Sequence, residues 1–179
     1  MSMKDLVTPM TPSGGAFLAA FGAGLIAFVL TPAELRTYVL IGFVAFALVA
    51  LVMVGAVART RIGAPTARQR WLVWPPVIVE AGVFWLLFRY SNFDVRTGWI
   101  AANAIVAVHF LPMVWSFGPV IDVLGASCLA WAMAAWLYEP IPLPLVVAAD
   151  GALKLVFGLV MLAAPFLIHH KSQVAGHGH

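Results

Sequence analysis

Residues 38–57 read YVLIGFVAFALVALVMVGAV, twenty consecutive positions without a charge. A helix rises about 1.5 Å per residue and the hydrocarbon layer is about 30 Å thick, so about 20 apolar residues make one membrane span. Working outward, five more segments read the same way: 14–30, 71–88, 98–115, 120–138 and 145–168. The expected fold is therefore an all-α integral membrane bundle of six transmembrane helices. A short cytoplasmic segment, 1–13, precedes it and a flexible, histidine-containing tail, 169–179, follows.

Composition supports this reading. The chain has 179 residues, 63% of them apolar and 9% charged, with a mean hydropathy of +1.00. A soluble globular domain carries about 25% charged residues, and a disordered chain is polar and highly charged, so both classes are excluded. Six spans use about 120 residues and leave too few for a soluble catalytic domain in any loop. Any chemistry must then sit between helices. The apolar run at 14–30 could be a signal sequence, but no A-x-A cleavage pattern follows it, so it reads as an uncleaved first span.

Ten Lys/Arg against seven Asp/Glu give a net charge of +3. Four of these cations, Arg59, Arg61, Arg68 and Arg70, crowd one short loop, as in a cytoplasmic anchor rather than a nucleic-acid surface. Counted by side, Lys4, these four and Lys171 face Arg36, Arg89 and Arg96. That imbalance predicts both termini in the cytoplasm of a bacterial inner-membrane protein. Trp71, Trp74 and Trp115 would mark the inner boundary; Tyr38, Tyr90, Trp99, Trp136 and Tyr138 would mark the outer one.

Local signals add detail. Thr31-Pro32-Ala33-Glu34 predicts a capping box opening the second helix. Ala126, Ala130 and Ala134, and Ala20 with Gly24, recur every four residues, a spacing that lets helices approach closely. Cys128 is the single cysteine, so no intrachain disulfide can form. No tandem repeat and no G-x-S-x-G, H-E-x-x-H or P-loop pattern occurs.

The informative residues are polar ones inside apolar spans: Glu80, Asn103, His109, Asp122, Asp150 and Lys154. A charge at the bilayer centre costs about 2.5–3.5 kcal/mol on the insertion scale, so such groups face the bundle interior and pair. Asp150 and Lys154 are four apart, which places them about 40° apart on one helix face. Glu80 should lie at a similar depth, and if its span neighbours the last one, Lys154 can bridge two carboxylates. Three acids against one lysine predict that at least one carboxyl holds a proton. Glu80 should have a cation or strong donor within about 4–6 Å. Pro112 cannot donate to the carbonyl of Val108, which predicts a kink and a free acceptor beside His109. His169, His170, His177 and His179 lie in the tail, which reads as frayed chain rather than a metal site.

Val108-His109-Phe110-Leu111-Pro112-Met113 resembles a family of small bacterial multi-pass membrane proteins whose fourth or fifth span carries His-Phe-Leu-Pro before an apolar residue. The resemblance covers about residues 98–167 and implies the topology, with His109, Phe110, Leu111 and Pro112 as signature positions; it implies no activity. Asp150-Gly-Ala-Leu-Lys154-Leu-Val-Phe157-Gly158 is similar to the last helix of microbial rhodopsins, which would make Lys154 a retinal attachment and Asp150 its counter-ion. Six spans against seven, and a third span with no acid in the matching place, weigh against retinal.

Together these readings predict a membrane protein, not an enzyme, that binds or moves a small solute or protons through its polar interior. A structural subunit without transport, and an intramembrane lipid-modifying enzyme using His109 and an acid, are the alternatives. No metal or cofactor is expected. The partners to consider are the lipid bilayer, a small solute or proton, and a second copy of the chain.

Overall fold

The computed structural model describes residues 8–176 and, within them, all side chains except those of 88, 166 and 168–176. The elements are α1 (Thr11–Leu30), α2 (Arg36–Arg61), a short α3 (Ala67–Trp71), α4 (Trp74–Tyr90), α5 (Val95–Phe110), a one-turn α6 (Val114–Phe117), α7 (Val120–Leu137) and α8 (Leu143–Gly176). Six stretches are long and apolar enough to cross a membrane: Thr11–Leu30, Ala33–Arg61, Ala67–Leu87, Val95–Phe117, Val120–Leu137 and Leu143–Pro165. Large apolar side chains are exposed all round the bundle, among them Ile41, Val52, Ile78, Leu86, Val123 and Leu159. Monomeric soluble proteins do not show apolar surface on this scale, so the chain is built as a membrane protein.

The ends of the elements have local causes. α3 stops at Trp71 because Pro75 lacks the N–H that would bond back to it, and Pro75 then serves the first turn of α4. Thr66 and Gln69 form a capping box that starts α3. The box expected at Thr31–Glu34 does not form. The Thr31 hydroxyl instead donates to the Ala27 carbonyl at 2.7 Å, closing the last turn of α1, and Ala33–Leu35 is a 3-10 turn without a side-chain cap. At Pro112 the helix tightens into a 3-10 turn over Leu111–Met113. The Val108 carbonyl is not left free there: the Leu111 N–H donates to it. Gly118, at φ 86°, ends α6 in a conformation that favours glycine. α8 continues past Ile168 as helix to Gly176. His177 and His179 lie outside the described residues, as do the side chains of His169 and His170.

Helices pack in the circular order α2, α1, α8, α7, α5, α4, each on the next. The circle is unsealed between α4 and α2, which make at most marginal contact. Its tightest seam is α1 on α8. Gly15 faces the Gly158 carbonyl and Leu162, and Gly22 faces the Gly151 carbonyl and Leu155, so backbone meets backbone. These glycines recur every seven residues on both helices. Gly24 packs against Phe43 of α2. The Ala126, Ala130 and Ala134 stripe instead lies exposed on the outer face of α7, not between described helices.

Two sets of contacts cross the bundle from α1 to the Val95–Phe117 span. At one end the Thr11 hydroxyl donates to the Phe117 carbonyl at 2.8 Å, and the Thr8 hydroxyl donates to that of Ser116. The Ser116 hydroxyl in turn donates to the Gln69 carbonyl at 2.8 Å. At the other end the Phe28 and Trp99 rings meet at 5.4 Å. These braces split the interior. The α7–α8 side is a solid core around Leu18, Leu124, Cys128 and Met161; the α2–α4 side is open.

Candidate functional site

Glu80 sits midway along α4, a helix with no fully buried residue among those whose side chains are described, and His109 closes the last turn of α5 just before the 3-10 turn at Pro112. The change of helical pitch at Pro112 follows directly on the His109 turn. His109 Nδ1 lies 2.8 Å from Glu80 Oε2, with side chains 8% and 20% exposed. The approach lacks the alignment of a hydrogen bond, so it is an ion-pair contact that carries charge when the imidazole is protonated. The basic group within reach of Glu80 is a histidine, cationic only when protonated, and not the lysine.

Two cavities share this pair. One, about 730 Å³, lies between α4 and α5 and is lined by Pro75, Pro76, Val79, Val108, Pro112 and Trp115 besides the pair. The other, about 380 Å³, lies inside the circle between α1, α2, α4 and α5, with Phe17, Leu48, Val77 and Phe110 on its walls and Lys154 reaching its floor. Ligand pockets run about 300–1,000 Å³, so each is of ligand size. Glu80 and His109 line both spaces, whose other walls are apolar apart from Lys154 in the inner one.

Lys154 and Asp150 form a separate closed pair on α8. The ammonium donates to Asp150 Oδ1, and the residues are 2% and 7% exposed. Cys128 is buried beside them. Lys154 does not bridge to Glu80: α4 and α8 lie on opposite parts of the circle, and no ion pair joins them. Asn103 is 7% exposed and neither amide atom has a partner, but it points toward neither cavity; six residues before His109, it lies on another face of α5. Asp122 stands in the first turn of α7, one carboxyl oxygen buried without a partner, also away from both cavities. The six polar residues thus resolve into two pairs and two separate groups. Arg59, Arg61, Arg68 and Arg70 are all exposed at the α2–α3 end.

Sequence reasoning missed one functional-looking cation. Arg96 at the start of α5 donates to the Ala135 carbonyl at 2.7 Å and also to that of Ile141, holding the carboxyl end of α7. Beside it Asp94 caps α5 through the Thr97 N–H at 2.8 Å. That bond, then the Thr97 hydroxyl, holds the Asp94 carboxyl below its usual value. Among the described residues no three His, Cys, Asp or Glu side chains converge as a metal site would require.

The family comparison identifies the chain by its family alone. It belongs to a family of unknown function, DUF6609, which matches residues 36–171. That range takes in both polar pairs and both cavities apart from the α1 wall. No curated protein and no solved structure matches the chain.

Proposed function

We propose that this member of a family of unknown function is a bacterial inner-membrane protein, both termini cytoplasmic, that binds or moves a small solute or protons. Its working site is the Glu80–His109 pair. The observation that carries the reading is a carboxyl and an imidazole in contact at 2.8 Å where two ligand-sized, largely apolar cavities meet. A carboxylate and an imidazolium in contact at membrane depth offset one another's charge. A solute arriving from either cavity changes what that proton is worth, which is the basis of coupling. Lys154–Asp150 is internally neutral and supports the floor of the inner cavity.

The lipid-modifying reading has one supporting observation, an imidazole and a carboxyl within reach in an open cleft. No serine, threonine, tyrosine or cysteine lines either cavity, so a hydroxyl or thiol nucleophile is not among their lining residues. The test of the proposal is infrared difference spectroscopy of the reconstituted chain across a pH titration. A carboxyl band that titrates in the wild type and disappears in Glu80→Gln supports it. A carboxyl region unchanged by that substitution overturns it.

A further inference from the structure

We propose that the cleft between α4 and α5 takes a lipophilic organic monocation in exchange for one proton; this rests on the reading of Glu80–His109 as the proton-holding site. Charge counting favours this class of ligand. Among the described residues Glu80 has one cationic partner within 4.0 Å, His109, and Lys154 is already neutralised by Asp150. When the imidazole gives up its proton, the Glu80 carboxylate stands unbalanced in apolar surroundings. A monocation in the cleft restores the balance, so proton and ligand compete for one carboxylate: the ligand enters, the imidazolium proton leaves to water, and no bond other than N–H breaks.

The two cavities are not equivalent for such a ligand. The inner one is the smaller, about 380 Å³, and its floor is Lys154, which is paired with Asp150 and offers a cation no acceptor. The α4–α5 cleft holds Glu80 and His109 as its titratable groups, and its remaining walls are aliphatic, prolyl or the Trp115 ring. An indole face attracts organic cations. Around the pair, α1, α2 and α7 contribute only apolar side chains to the cavity walls; α8 contributes Lys154 alone. The volume of about 730 Å³ suits a bulky molecule, and Trp115 is well exposed at the outer face, where a ligand dissolved in the lipid can enter sideways.

Full-length protein in nanodiscs of zwitterionic lipid tests this with tetraphenylphosphonium and its anionic isostere, tetraphenylborate. Saturable binding of the phosphonium is expected, with proton release approaching one per ligand and affinity falling up to about tenfold per pH unit on acidification, the limit for one-proton exchange. Glu80→Gln should abolish the saturable component. Saturable binding of the borate in preference, or phosphonium uptake that never saturates, overturns the inference. So does binding without proton release, a readout on the wild type that stands even if the variant does not fold. A Glu80 carboxyl band that titrates in such a failure leaves the proton-site reading intact; loss of both removes both.

Discussion

Removing the Lys154 ammonium leaves the Asp150 carboxylate in a site that is 7% exposed. Breaking a buried pair this way costs about 3–5 kcal/mol, whereas replacing both members with apolar groups is often neutral. Lys154→Met should therefore lower thermal stability strongly, and Lys154→Met with Asp150→Leu should recover most of the loss, read by melting in detergent. Asp94 gives a prediction of opposite pH sense to a buried base. Its folded value lies below the unfolded one, so its contribution is present above the unfolded value and fades as pH falls through the folded one. The melting difference between wild type and Asp94→Ala should narrow on acidification. At this scale the sequence exposes which residues are costly to place, because a charge in an apolar run is costly wherever it points. It does not expose the partners. Glu80 and His109 are 29 positions apart on different helices, and only the circular packing order brings them together.

The spans themselves were legible, since length and hydropathy set them without reference to neighbours. Their joins were less so. Thr31 carried the letters of a capping box but closes the helix before it, while Thr66 and Gln69, with the same signal, form the real one. The close-packed seam escaped a search at four-residue spacing, because Gly15 and Gly22, and Gly151 and Gly158, repeat at seven. A methyl group at Gly22 would lie 2.5 Å from the Gly151 carbonyl and the Leu155 nitrogen. Gly22→Ala should thus part α1 from α8 at about 1–3 kcal/mol, the usual cost of overpacking, whereas Gly42→Ala, with open space around it, should not. Arg96→Ala should unfasten α5 from the end of α7. Hydrogen bonds to a charged group contribute about 1.5–3 kcal/mol, and the same melting assay reads the loss.

Across the whole molecule, tight and loose packing are segregated. α1, α8 and α7 form a continuous wall, and α4 stands against α5 across a cleft with the Glu80–His109 contact as the polar link between them. No hydropathy pattern encodes which spans adjoin, so this asymmetry was not readable in advance. The proposed direction of the bundle in the membrane rests on its charge. With the exposed Arg59, Arg61, Arg68 and Arg70 at the α2–α3 end, a fluorescent-protein fusion at the carboxyl terminus should fluoresce. A periplasm-dependent phosphatase inserted beside Glu139 should be active. The reverse pattern would invert the proposed topology.

The central claim is that Glu80 meets His109 and not lipid. Solid-state NMR in bilayers, with carboxyl-13C glutamate and ring-15N histidine, measures it directly. Dipolar coupling between one histidine ring nitrogen and one glutamate carboxyl, lost in Glu80→Gln, is predicted; no such coupling in the wild type would contradict the account.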